Sequence, residues 1–478
     1  MTERSLSISI PTHHGRAPLL AEALSSIAGQ TGSVPGWDLE VCVSDNASHD
    51  GTEEVVRAFE RESGMPVTYC RNEHDLGLGA NILQAVELAS GHWCWPVGSD
   101  DHLAGDALLT MIRLLEAHPD ATGVTQPREN FTADMSHRLE PDRPDFYPLV
   151  DRTTVYRGAE DVVANLGHSW AYMGCHVVRR DRWAENARIE RAAALAHPVW
   201  PQVYLMGRLA QRHPQWVWYP TPLIKSRADN SFYTDAVDAR RDVAEVHAEV
   251  VAGLSDVWAE LARPGSRVHG ELTYRTFRVW AAPEAVRYMK SRPGHGLAQD
   301  VALLRSFVAR FWRVREFWRT SAPLLVMPAA LQRAIAARRL GGAGPMHPLP
   351  ATALRAAVSA SVPSFLPARR TVALRCTMRN EGSSALHSAP PNPVHLAYRW
   401  YDEAGSEVLV GLRTELPGEV APREEITCEL RVLTPWEPGR YELRVSPVQE
   451  LVAWFDDVDE GSGARFPVDI GLAPVEAP

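Results

Sequence analysis

Apolar residues in the first hundred positions fall into two alternating patterns. Ser7-Ile8-Ser9-Ile10, Leu39-Glu40-Val41-Cys42-Val43, Val67-Thr68-Tyr69-Cys70 and Trp93-Cys94-Trp95-Pro96-Val97 are short apolar runs with the content of buried strands. Between them, Leu19, Leu20, Ala23, Leu24 and Ile27 recur at helical spacing. So do Glu53 to Phe59, and then Ile82, Leu83, Val86 and Leu88. Strands alternating with helices at this interval predict an α/β domain built on a mainly parallel, Rossmann-like sheet. Ligands of such sheets bind beyond the carboxyl ends of the strands.

The pattern then changes twice. From 236 to 340 it is helical and richer in Arg and Ala, and 341–367 reads as a Gly/Pro/Ala-rich linker. From 368 to 478 the period becomes two, as in Thr371 to Thr377, Val394 to Trp400, Ile426 to Val432 and Tyr441 to Val445. Turn sequences such as Asn380-Glu381-Gly382 and Glu437-Pro438-Gly439 separate these runs, which predicts a C-terminal all-β sandwich. The expected domains are therefore 1–235 (α/β), 236–340 (helical extension), 341–367 (linker) and 368–478 (sandwich).

A chain of 478 residues with 45% hydrophobic and 23% charged content suits two or three soluble domains. Its net charge of -10 argues against nucleic acid as the partner, because phosphate backbones want a basic face. The six cysteines form no CxxC pair, so a structural zinc site is not expected. Cys376 and Cys428 lie in late strand patterns, where a disulfide or two free thiols would both fit. The N-terminus lacks the length of a signal peptide, and no apolar stretch of about 18 residues suggests a membrane span. A cytoplasmic location follows.

Each strand of the first domain ends in a polar loop. The first delivers Pro11, Thr12, His13, His14 and Arg16; the second, Ser44-Asp45-Asn46-Ala47-Ser48-His49-Asp50-Gly51-Thr52. The third delivers Arg71-Asn72 through Leu76-Gly77-Leu78-Gly79, and the fourth Gly98-Ser99-Asp100-Asp101. Paired carboxylates at a strand end suit hard Mg²⁺ or Mn²⁺, which would stabilise a departing diphosphate as a Lewis acid. Asp45 could accept hydrogen bonds from a nucleobase or ribose, or simply hold an Asx turn. Asp50 is a natural helix N-cap, and Gly77 and Gly79 suit either a turn or close backbone approach to a ligand.

These four motifs, in this order, resemble a family 2 glycosyltransferase of GT-A fold, in the manner of abequosyltransferase-like enzymes of O-antigen and surface-polysaccharide assembly. The resemblance covers roughly residues 5 to 235. It implies a nucleoside-diphosphate sugar donor gripped by Pro11, Thr12, Arg16, Asp45, Arg71, Gly77 and Asp100, with Asp100 and Asp101 holding the metal. It implies a glycan or polyprenyl-linked acceptor, with Trp170 as the stacking residue on the acceptor side. Two features depart from the family. The family's acidic motif begins one aspartate earlier, where this chain has Gly98-Ser99, and between Glu190 and Asp229 there is no Asp or Glu to serve as the acceptor base. His197 and Asp229 are the remaining candidates, His197 because an imidazole titrates near neutrality.

Arg305, Arg310, Arg313, Arg315 and Arg319 interleave with Phe307, Phe311, Trp312, Phe317 and Trp318. Such a helix either lies peripherally on the inner face of an anionic membrane or packs its aromatics on the catalytic domain. The C-terminal module resembles the Ig-like sandwiches of bacterial polysaccharide enzymes, where Trp400, Trp436 or Trp454 could stack on sugars. Oligomeric state is left open, and a homo-oligomer is compatible with it. The rival activities are a catalytically inactive glycan-binding or assembly scaffold, suggested by the missing base, and a nucleotidyltransferase. The second would need a phosphate loop better than Pro11-Thr12-His13-His14-Gly15-Arg16.

Overall fold

The computed structural model describes residues 4–139, 146–228, 243–291, 295–327, 348–388, 392–450 and 452–472. The chain divides into two compact units between Pro328 and Ala329.

The first unit is built on an eight-stranded sheet. Its N-terminal part follows the expected alternation: β1 (Ser5–His13), α1 (Ala17–Ala28), β2 (Asp38–Asn46), α2 (Thr52–Ser63), β3 (Val67–Arg71), α3 (Leu78–Glu87) and β4 (Trp93–Pro96). Then come β5 (His102–Leu103), α4 (Ala107–Ala117), β6 (Gly123–Thr125), β7 (Arg128–Phe131), β8 (Thr154–Arg157) and α5 (Ala159–Leu166). The unit continues through β9 (His176–Arg179), α6 (Arg180–Leu195), α7 (Pro201–Arg212), β10 (Gln215–Trp218) and β11 (Ile224–Arg227). The strand order is β3-β2-β1-β4-β9-β6-β10-β8, and β5, β11 and β7 form a second small sheet. Strands β1 to β4 are mutually parallel, while β9 runs antiparallel to both β4 and β6.

Strand β1 is central and buried from Ser5 to Thr12, although three of those positions are serine. Each serine finds a partner, as buried polar groups must. Ser5 Oγ accepts from the His92 amide, Ser9 Oγ lies 3.1 Å from Cys94 Sγ, and Ser7 Oγ donates to Glu40 at 2.5 Å. Burial alone would raise the Glu40 carboxyl. Hydrogen bonds from Ser7, from the Ser90 amide and hydroxyl, and from the Gly91 amide outweigh it and hold the group below its ordinary range.

The helical stretch after β11 is not a separate module. Helix Val243–Leu261 sends Val250, Leu254, Val257, Trp258 and Leu261 into the same core as Leu83, Trp170, Val178, Val203 and Trp216. It approaches α7 so closely that a Cβ on Gly207 would lie 2.2 Å from Leu261 Cδ1. Phe277, Phe307, Phe311 and Phe317 form an adjoining helical core. The interleaved phenylalanines of the basic stretch therefore pack inward. Among the described residues no helix is long and apolar enough to cross a membrane.

The second unit consists of two mainly antiparallel sheets sharing one core. Strands β12 (Ala356–Ala360), β14 (Thr371–Asn380) and β18 (Glu425–Leu433) form one sheet. The other follows the order β13 (Phe365–Pro367), β21 (Ala464–Gly471), β19 (Gly439–Gln449), β15 (Val394–Asp402) and β16 (Glu407–Val410). Leu374, Cys376 and Leu430 from the first meet Leu396, Tyr398, Trp400 and Leu443 from the second. Strands β12 and β13 lie inside the stretch read as a linker. Ala-Ala-Val-Ser-Ala carries too little apolar contrast to signal a strand, yet it pairs along β14 from Ala356↔Asn380 to Ala360↔Cys376. Cys376 and Cys428 are direct cross-strand partners, and both are free thiols.

Two buried histidines of the first unit couple its stability to pH. Burial pushes His168 down to about 3, aided by Arg275, and burial does the same to His176. Below the ordinary histidine value of about 6.5 the unfolded chain binds protons that the folded chain refuses, so stability falls with pH. Denaturant midpoints are expected to decline from pH 6.5 toward 3, and His168→Asn with His176→Asn should flatten that decline.

Candidate functional site

The parallel register sets which loops meet. Pro11, Thr12 and His13 of β1 pair with Ser44, Asp45 and Asn46 of β2, and Asp45 pairs with Arg71 of β3. Strand β4 ends alongside Ser9, and its chain continues into Gly98-Ser99-Asp100. A cleft of about 460 Å³ opens at this edge. It brings together five of the sequence-predicted residues, Pro11, Thr12, Arg16, Gly77 and Asp100. His13, His14, Asn46, Asp75, Asn81 and Met173 also line it. Thr12 Oγ1 is buried there and has no hydrogen-bond partner in the protein.

A network of buried amides holds the floor of the cleft. The Asn81 side chain donates to the backbone carbonyls of Thr12 (3.0 Å) and Ser44 (3.2 Å), and accepts from Ser44 Oγ (2.7 Å) and Asn72 Nδ2 (3.2 Å). Gln84 donates to Asn72 Oδ1 at 2.7 Å. The Asn46 carbonyl accepts from the Leu76 amide at 2.8 Å, and its amide donates to Asp75, whose Oδ1 also takes the Gly77 amide. Sequence reasoning missed Asn46, Asp75 and Asn81. The available signal was a polar Asn81 among the apolar positions Ile82, Leu83 and Val86 of α3.

The two acidic residues face different surroundings. Asp100 lines the cleft, and its Oδ2 accepts from Arg16 Nη1 at 3.3 Å. Asp101 is only 2% exposed; its Oδ1 accepts from the Tyr172 hydroxyl at 2.8 Å, which in turn contacts Ser226 Oγ at 2.5 Å. Arg128 lies over the Tyr172 ring, 3.7 Å from its centroid. Burial and then the neighbouring Asp100 charge raise the Asp101 carboxyl well above the ordinary carboxylate range. Gly98 makes this packing feasible, since a Cβ there would sit 2.6 Å from Asp101 Oδ2 and 3.0 Å from Asp100 Oδ1. Arg227 closes the far side, bonding the Asp100 carbonyl (3.4 Å) and Glu22 (2.5 Å). Of the two expected metal ligands, Asp100 faces the cleft and Asp101 is anchored in the protein.

Other predicted residues lie elsewhere. Asp45 is 1% exposed, with Oδ1 accepting from the Ser48 amide and Oδ2 from the Tyr69 hydroxyl. It closes an Asx turn that places Ala47 at φ 61°. Asp50 does not cap α2; Gly51 holds that position, and Asp50 accepts instead from the Gly15 amide and the Thr52 hydroxyl. Arg71 is exposed and meets His49 Nδ1 at 2.6 Å. Trp170 is a core residue rather than a sugar platform, fully buried and 5.3 Å from the Trp216 ring. His197 is buried against Tyr204 and reaches Glu260 at 3.1 Å. Asp229 lies outside the described residues. In the second unit Trp400 is fully buried, Trp436 nearly so, and Trp454 lies under Arg399 and Arg413.

Residues 7–181 match the family described as Glycosyl transferase family 2. The abequosyltransferase RfbV of Salmonella typhimurium is 30% identical over 243 residues, spanning 49% of this chain and 70% of that protein. The chain belongs to glycosyl transferase family 2. A GalNAc(5)-diNAcBac-PP-undecaprenol beta-1,3-glucosyltransferase of Campylobacter jejuni is 31% identical over 108 residues, 23% of this chain and 33% of its own length. The crystal structure of S. aureus TarS 1-349 with UDP-GlcNAc aligns at a TM-score of 0.44 and 16% identity, covering 65% of this chain and 82% of that one. The first unit of this glycosyltransferase is an α/β domain built on a mixed, partly parallel sheet.

The amide network makes a direct prediction. Asn81→Leu keeps the volume but removes four hydrogen bonds from the interior, each worth roughly 1 kcal/mol or more. Urea denaturation should show a loss of about 3 kcal/mol or more; a loss within about 0.5 kcal/mol would mean the network does not hold the floor.

Proposed function

We propose that this glycosyltransferase moves a sugar from a nucleoside-diphosphate donor to a surface-polysaccharide or lipid-linked glycan acceptor. The observation that carries the reading is the cleft itself, in which Asp100, Arg16, Thr12 and the turn before Gly77 converge beyond the carboxyl ends of parallel strands. The name of one relative supports sugar transfer, an abequosyltransferase, and that of another supports a lipid-linked acceptor, a PP-undecaprenol-linked glycan.

The donor set fits a divalent cation. One carboxylate in an open cleft, completed by diphosphate oxygens and water, is the usual arrangement for Mg²⁺, and Mn²⁺ accepts the same ligands. Among the described residues no cluster of three or more His, Cys, Asp or Glu side chains could hold a metal by itself, so ligand oxygens would complete the shell. Asp100 would hold the ion, and the ion would supply Lewis-acid stabilisation of the leaving diphosphate. Arg16 orients the Asp100 carboxylate from one side, and Arg227 fixes its backbone from the other. Thr12 lines the space a donor phosphate or ribose would take, and its buried hydroxyl has no hydrogen-bond partner in the protein.

For the acceptor base, His197 is already engaged with Glu260. Asp229 follows Arg227 by two residues, and Arg227 is the residue that grips the Asp100 carbonyl. Asp229 is therefore the base in this proposal. Asp229→Asn should lower kcat by about a hundredfold or more while leaving donor binding intact; unchanged kcat would remove it from that role.

The donor test is a calorimetric screen of UDP-, GDP-, dTDP- and CDP-sugars with and without Mn²⁺. One nucleotide sugar should bind in a Mn²⁺-dependent way, and Asp100→Asn should abolish the metal dependence. Metal-dependent donor binding that survives this substitution would place the cation elsewhere. No donor binding or transfer across the panel would favour a glycan-binding scaffold.

A further inference from the structure

The basic aromatic stretch splits into two roles. Its phenylalanines are buried, but Trp312 and Trp318 stay 55% and 49% exposed. Beside them a cleft of about 1010 Å³ opens between helix Arg267–Thr276, the end of helix Leu297–Phe311 and the short helix Arg315–Arg319. Arg310, Arg313, Arg315 and Arg319 line it, together with Ser266 and Trp312. The volume exceeds that of the donor-side cleft about twofold and is ample for a ligand of several rings.

The charges in this cleft run against those of the molecule. The chain carries a net -10, yet four guanidinium groups gather here. Of the two carboxylates in the lining, Glu316 is already committed to Arg278 at 2.9 Å and to the Tyr274 hydroxyl at 2.8 Å; the other is the exposed Asp256. Among the described residues none of the four arginines has a carboxylate within ion-pair distance. Arg310 donates only to the Ser306 carbonyl, and its Nε is buried without a partner. Arg313 lies over the Trp312 ring, 4.6 Å from its centroid, and its Nη1 is 3.9 Å from where a Cβ on Gly265 would lie. Like charges held together without counter-charges repel one another, and an oxyanion would relieve that cost. The planar guanidinium fork matches phosphate oxygens in particular, and an exposed indole beside it offers a face for a sugar ring.

We propose that this cleft is a second ligand site, separate from the donor site, for a phosphate-bearing saccharide. The shared chemistry is a phosphoryl oxyanion on the arginines with a sugar against Trp312. The phosphate could belong to a soluble glycan or to a lipid-linked head group. The proposal does not depend on the donor assignment.

The test uses the full chain at low salt. Calorimetry is run with inorganic pyrophosphate and with glucose 1-phosphate, and flotation with phosphatidylcholine vesicles with and without phosphatidylglycerol. Arg313→Ser with Arg319→Ser should weaken binding of both phosphates about tenfold or more, whereas Arg16→Gln in the donor cleft should leave that part of the binding in place. Trp312→Ala should weaken glucose 1-phosphate but not pyrophosphate. Anionic-vesicle binding that is lost in the double arginine variant identifies a lipid head group as the source. Phosphate binding lost without any vesicle binding identifies a soluble glycan. The proposal is overturned if the folded double variant binds both phosphates as the parent does, or if the parent binds neither. Equal effects of Trp312→Ala on both probes would overturn the saccharide part.

Discussion

Three parallel strands end side by side at the cleft, and a single buried amide ties their ends together. Asn81 bonds the Thr12 carbonyl of β1, the carbonyl and hydroxyl of Ser44 on β2, and Asn72 beyond β3. In a dry interior a backbone carbonyl must be satisfied by some donor. Asn81 supplies that donor from the first turns of α3, so the helix fixes the strand ends and the cleft floor at once. Asn46 and Asp75 extend the tie to the turn before Gly77.

The same logic organises the acidic corner. Adjacent aspartates at one strand end must point in different directions, and their environments set them apart. Asp101 is driven into the protein, where Tyr172, Ser226 and Arg128 link it to β7 and β11. Asp100 is thereby left facing the cleft, with Arg16 beside it. The absent side chain at Gly98 is what allows the turn to be this tight. The glycine two places before the acidic pair, part of what looked like a departure from the family pattern, is thus a packing requirement of this site.

Much of this was legible in the chain, because strand and helix periods and loop chemistry are local. The order β1 to β4, the C-terminal sheets and the convergence of Pro11, Thr12, Arg16, Gly77 and Asp100 all follow from short-range patterns. What sequence could not supply was the burial of individual polar side chains. Asp45 and Asp101 carry the right chemistry but spend it on Ser48, Tyr69 and Tyr172. Trp170 looks like a stacking residue until the Trp216 ring is found against it. Arg227 reaches Asp100 across 127 residues of sequence and Asn81 reaches Thr12 across 69, distances no period reveals. Ala356–Ala360 is a strand because β14 pairs with it, not because of its own composition.

The central claim is that Asp100, rather than Asp101, meets the donor's metal in the cleft between β1 and β4. Crystals grown with Mn²⁺ and the cognate nucleoside diphosphate, measured at the manganese absorption edge, test it directly. The account predicts an anomalous peak at the Asp100 carboxylate, bridged to diphosphate oxygens, with Asp101 still bonded to Tyr172. A peak on Asp101 with Tyr172 displaced, or one away from the cleft altogether, would contradict it.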